Sequence, residues 1–154
     1  MLQQYARFDG FPGDCIRNGQ NWITLDAWTH LVARVVTGPR QISRARGNVV
    51  VGDLALFVHG LTAASSFAQA VVTGRPIKLA EIEMTTIQGA KELRYLLIRM
   101  QDIIINSVSR TPPPNQQIST LGQRVEVAYG KITWIYTPVA SQPIPTEVFR
   151  LRRA

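Results

Sequence analysis

Gln123–Pro138 reads QRVEVAYGKITWIYTP, and its alternation decides the fold class. In an extended chain, Val125, Val127 and Tyr129 share one face and Arg124, Glu126 and Ala128 the other. After Gly130 the apolar phase moves by one, so that Ile132, Trp134 and Tyr136 align. A one-residue change of phase exchanges inside for outside, which marks Gly130 as a bulge or a sharp bend. Pro138 ends the strand because it cannot donate to a ladder. A long bent strand suits a barrel, in which one strand serves two packed sheets. Its features are those of a scaffold; nothing in it points to catalysis.

Working outward, the other segments also read mostly as strands. Gln3–Phe8 is a short strand, followed by turns at Asp9-Gly10, Pro12-Gly13-Asp14 and Asn18-Gly19. Trp22–Val36 is a long strand with Ile23, Leu25 and Ala27 on one face. Its other face carries Trp22, Trp28 and His30, which fits either a second face covered by a neighbouring subunit or a bend near Trp28. Val49–Val58 returns as a strand in which Leu54, Leu56 and Val58 alternate with Asp53, Ala55 and Phe57. The one convincing helix follows. Thr62 is its expected cap, and Leu61, Ala64, Ala68, Val71 and Val72 form its apolar stripe with Phe67 on the flank. Gly74 stops it. Ile77–Thr86 and Leu93–Val108 are strands joined by a Gln88-Gly89 turn; the isoleucine content of the second decides against a buried helix. Arg110–Thr120, RTPPPNQQIST, is a loop, and a short terminal strand lies around Val148–Leu151.

Composition narrows the class. A chain of 154 residues with 45% hydrophobic and 18% charged residues reads as one globular domain, 1–154. No apolar run approaches the roughly 20 residues that span a bilayer, so no membrane insertion is expected. MLQQYARFDG lacks a charged segment followed by an apolar one, so synthesis and folding in the cytoplasm are expected. Cys15 is the single cysteine and has no internal disulfide partner. With only His30 and His59 beside it, no metal site is expected.

The formal charge of +7, from 17 Lys and Arg against 10 Asp and Glu, invites a nucleic-acid reading. The positives are dispersed, however, with clusters only at Arg40/Arg44/Arg46 and Arg150/Arg152/Arg153. A solvated surface or a contact with an acidic protein is the favoured reading, because charge alone does not specify a partner. Trp22, Trp28 and Trp134 could stack bases, but tryptophans in strands are more often core.

Catalytic patterns are missing: the chain has no phosphate-cradling glycine motif, HExxH, CxxC or GxSxG. Asp26 and His30 could be set beside Ser65 or Ser66 only on paper, because a triad is a matter of geometry. Glu81 and Glu83 share a strand face and are expected to be solvated. No enzyme activity, cofactor or metal is expected.

The order of the pieces resembles the Hcp family, the haemolysin-coregulated tube proteins of type VI secretion. The likeness runs from about Tyr5 to Phe149: YARFDGFPGD, then ITLDAWTHL, an Arg/Gly loop, VVVGDLALFV and a helix ending AVVTGRP. AEIEMTTI, YLLIRMQDIIINSVS and QRVEVAYGKITWIYTP complete it, the last two being the most specific in order and spacing. The resemblance implies an antiparallel two-sheet β-barrel with one flanking α-helix, similar to phage tail tube proteins. It also implies homohexameric rings that stack into a hollow tube, inside a contractile sheath, with spike and baseplate proteins as partners and small effectors in the lumen. Export from a bacterial cytoplasm by that apparatus follows, and the family has no catalytic residues to carry over. The alternative is a basic β-barrel that binds nucleic acid. The chain departs from the family in its positive charge and in the Arg-rich loop Thr37–Asn48, TGPRQISRARGN. A loop of this length and charge is more than a hairpin turn. It is expected to project from one rim, where Arg40, Arg44 and Arg46 would meet acidic groups of the next ring: Asp14, Glu81, Glu83 or Asp102.

Overall fold

Eight strands and one helix make up the computed structural model, which describes residues 2–34, 49–110, 122–137 and 147–152. In order they are β1 (Leu2–Phe8), β2 (Cys15–Arg17), β3 (Gln20–Arg34), β4 (Val49–His59), α1 (Ala64–Thr73), β5 (Ile77–Gln88), β6 (Lys91–Ser109), β7 (Gly122–Tyr136) and β8 (Glu147–Arg152). All pairings are antiparallel, in the order β1-β5-β6-β7-β4-β3-β2, with β8 on β7. β1 also pairs with β3 through Tyr5↔Thr24 and Ala6↔Ile23. These two residue pairs close the ladder into a thin-seamed barrel with α1 on its flank. The fold class expected from the sequence is thus observed.

The alternating residues fill the interior. Phe8, Ile23, Leu54, Leu56, Ile82, Ile98, Met100, Val125, Val127 and Ile132 are all buried in one cluster. The inward phase switches in three neighbouring strands at one level. Ile77, Ile103 and Tyr129 lie opposite one another and face in; so do Ala80, Met100 and Ile132. Two residues separate the levels in every strand, so the pairing register is kept while the buried face changes. The predicted event at Gly130 is therefore a bend shared by β5, β6 and β7, not a bulge.

True irregularities occur in β3, where its pairing with β4 shifts between Leu25 and Ala27 and again between His30 and Val32. The first shift falls two residues before the expected bend and turns Ala27 outward, away from the face of Ile23 and Leu25. Trp28 then packs against the core. The Asn18-Gly19 turn has both residues at positive φ, 51° and 73°, the requirement of a two-residue hairpin. It joins β3 to β2, a three-residue strand that the sequence pattern did not reveal.

The helix differs most from expectation. Thr62 does not cap it: Ala63 occupies the cap position, and no side chain bonds there. Ala63, Phe67 and Ala70 are its buried residues, whereas Val72 is 86% exposed and Leu61 and Ala68 face outward. Phe67 meets Phe8 and Phe11 edge-on, with centroids 5.2 and 5.1 Å apart. One aromatic anchor into the barrel outweighs the weak periodicity of small residues in setting the helix phase. Gly74 ends the helix as expected, at φ 63° with its N–H donated to the Ala70 carbonyl.

Candidate assembly surface

Arg40, Arg44 and Arg46 lie between β3 and β4, outside the described residues. Of the acidic groups considered as their partners, Glu81 and Glu83 are not on an open surface: they are 9% and 6% exposed. This corrects the solvated reading. Their strand face points away from the barrel interior, but a second polar layer covers it.

That layer is built from β1, β2, β5 and β6. Glu81 lies between two arginines, Arg7 from β1 and Arg99 from β6, the latter at 3.2 Å. Glu83 accepts from Arg17 of β2 at 3.0 Å, and the same guanidinium reaches Glu92 at 2.7 Å. Thr85 donates to Glu92 at 2.7 Å. The Arg17 guanidinium also lies 4.0 Å from the Tyr5 ring centre and 5.6 Å from that of Trp22. The Trp22 indole N–H returns to the Arg17 carbonyl at 3.2 Å. Burial pushes the Tyr5 hydroxyl above its ordinary pKa, although Arg17 pulls the other way. The β2–β3 hairpin is thereby fastened over the outer face of the wall, beside a cleft of about 640 Å³ lined by Ile16, Arg17, Glu83, Glu92 and Arg94.

The sequence could not reveal this layer. Alternation in AEIEMTT places both glutamates on the outer face, but only tertiary pairing brings Arg7 of β1 and Arg99 of β6 to Glu81, and Arg17 of the short β2–β3 hairpin to Glu83. Such a mutually neutralised ionic layer fixes one packing arrangement; it leaves no acid and base facing a common reactant.

The other candidates separate in space. Asp26 pairs with His59 at 3.0 Å, and His30 contacts the Tyr129 hydroxyl at 2.6 Å, so the paper triad with Ser65 or Ser66 is not assembled. Trp22 is buried, and Trp28 and Trp134 meet each other edge-on at 5.8 Å. These rings are committed to packing rather than displayed for bases. Among the described residues no group of three metal-ligating side chains comes together. No described helix is long and apolar enough to cross a membrane. The surface does display large apolar side chains, Ile16 at 76% exposure and Val72 at 86% foremost, with Leu2, Leu31 and Ile104 also open.

Comparison with known proteins agrees with this scaffold. The family model described as "Type VI secretion system effector, Hcp" matches residues 5–136. A type VI secretion system effector from Yersinia pestis superposes with a TM-score of 0.73 at 18% identity, covering 97% of this chain and 99% of that one. Hcp1 from E. coli EAEC 042 gives 0.72 at 18% identity, covering 98% and 97%. The secreted protein Hcp3 from Pseudomonas aeruginosa gives 0.67 at 14% identity, covering 99% of both chains. Comparison with curated proteins by sequence finds no match.

Proposed function

Because the chain belongs to the Hcp family of type VI secretion effectors, we propose that it is a structural subunit of the type VI inner tube. Six copies close into a ring, rings stack into a hollow tube, and the tube leaves the cell with spike and effector proteins. The family match over residues 5–136 carries this reading. Large apolar side chains left exposed on several elements, Ile16 and Val72 foremost, are candidates for contacts between copies. Head-to-tail contacts close into rings when the rotation between copies allows. The basic segment 37–48 is the proposed contact between rings, with Arg40, Arg44 and Arg46 as its charges.

Native mass measurement and electron microscopy of the purified protein test the ring. A hexamer with a central hole is expected; a monomer throughout the micromolar range overturns the reading. Export is tested separately in cells. The extracellular protein should vanish when the sheath or baseplate is deleted, and an unchanged level would rule out the secretion-tube role.

A further inference from the structure

The Arg150/Arg152 pair gains company through the sheet register. Residues directly opposite in antiparallel strands share a face. Arg152 lies opposite Lys131, and Arg150 opposite Thr133. On the other side of β7, Lys131 lies opposite Gln101 and Thr133 opposite Arg99. These six residues form a two-by-three grid on the outer face of β6, β7 and β8. The reverse face carries Met100, Ile132 and Leu151 towards the core. Glu81 holds Arg99 but is shared with Arg7. No ion pair with a described residue engages Lys131, Arg150 or Arg152. Arg150 and Arg152 are exposed.

Among the described residues, the strand that carries the two arginines also has an open edge. β8 pairs with β7 alone among the described residues. Phe149, stacked edge-on with Trp134 at 5.8 Å, is still 40% exposed there. An open edge offers unpaired backbone donors and acceptors to another strand.

We propose that the β8 edge receives an extended acidic segment of a partner protein as an added strand. Carboxylates at alternate positions lie over Arg150 and Arg152. The intervening apolar side chains cover Phe149 and Leu151. The match is one of period: Phe149-Arg150-Leu151-Arg152 alternates apolar and basic, and an acidic–apolar strand presents its charges at the same spacing of roughly 6.6–6.8 Å. Backbone pairing supplies affinity and the alternate side chains supply specificity. Nucleic acid fits less well, because the grid displays no aromatic ring on which a base could stack. The proposal depends on this register and charge, and it holds whether or not the chain forms rings.

The test uses the full chain at physiological ionic strength and a fluorescent heptapeptide alternating glutamate and valine. The controls are a peptide of the same composition with the glutamates in one block, and an oligothymidylate. The alternating peptide should bind, and hydrogen exchange should show new protection of β8 amides. R150E/R152E should weaken binding about tenfold, the sum of two exposed pairs and their reversal. K131Q, which leaves the edge intact, should weaken it by a smaller factor and controls for misfolding of the double variant. The proposal is overturned if no peptide binds, if the block peptide binds as well, or if β8 gains no protection. Tighter binding of oligothymidylate, or unchanged affinity in both variants, overturns it too.

Discussion

Asp102 in β6 faces Gly130 in β7 across the shared bend, and a Cβ added at Gly130 would sit 3.1 Å from the Asp102 Cβ. Asp102 is itself at φ 54°, a conformation that aspartate tolerates and β-branched residues do not. The two positions together let three strands turn without losing register. Gly130→Val should therefore cost about 1–3 kcal/mol, as overpacking does, read as a lower urea midpoint. Asp102→Gly removes the opposing Cβ and accepts the positive φ, so it should recover part of that loss in the double variant. Additive effects of the two changes would show that they do not share one steric constraint.

Phe67 is the helix's fastening to the barrel, fully buried against Phe8 and Phe11. Phe67→Ala should destabilise by roughly 3–5 kcal/mol, the usual cost of emptying a large aromatic site. Val72→Ala should change stability by no more than about 0.5 kcal/mol, as at other surface positions. Equal effects at the two positions would mean that the helix packs on its other face.

The contrast between these residues shows what the sequence discloses. Strands with strict alternation, such as Leu54–Val58 and Val125–Tyr129, announce their buried face because each side chain has only two directions available. The change of phase after Gly130 was equally legible; whether it marked a bulge or a bend required knowing that β5 and β6 turn at the same level. The helix stripe failed because alanines and valines at several spacings fit more than one phase, and the contact with Phe8 and Phe11 settles it. Glu81 and Glu83 fail for another reason: Arg7 and Arg99 hold the first and Arg17 the second, and the strand of Arg17 is too short to leave a pattern. The arginines at 40, 44 and 46 were read from charge alone and fall outside the described residues.

Arg17 and Glu83 are both largely buried, and each is the other's partner at 3.0 Å. Glu83→Ala would leave Arg17 with Glu92 at 2.7 Å, whereas Arg17→Met leaves the buried Glu83 with Arg94 alone at 3.9 Å, at a cost of about 3 kcal/mol. Arg17→Met should thus destabilise more than Glu83→Ala, and more than the double change Arg17→Met with Glu83→Gln, which removes both charges and keeps most of the volume. Denaturant midpoints of the three proteins decide it. If the double variant is the least stable, the layer contributes net attraction rather than a fixed arrangement of the hairpin.

The proposed ring stacking through the basic segment leads to the last prediction, and burial narrows its candidate partners. Glu81 and Glu83 are occupied by Arg7, Arg99 and Arg17. Asp14 and Asp102 remain exposed. Asp14 sits beside Thr24, whose N–H it accepts at 2.9 Å, near the start of β3. The basic segment leaves β3 at its far end, after Arg34. Thr24 and Arg34 are ten residues apart on β3, roughly 33 Å of extended strand, so Asp14 lies well away from the end of β3 that precedes the segment. Each exposed pair contributes only ~0.2–1 kcal/mol, but in the proposed hexamer six copies at one junction would act together. Arg44→Glu with Arg46→Glu should leave rings intact while abolishing tube growth, seen by electron microscopy, and secretion. Adding Asp14→Arg to the same chain should restore both in part. Normal stacking by the double variant would refute the contact. Loss of the rings themselves would place the segment between neighbours within a ring. Failure of Asp14→Arg alone to rescue would shift the partner to Asp102, where Asp102→Arg is the matching exchange.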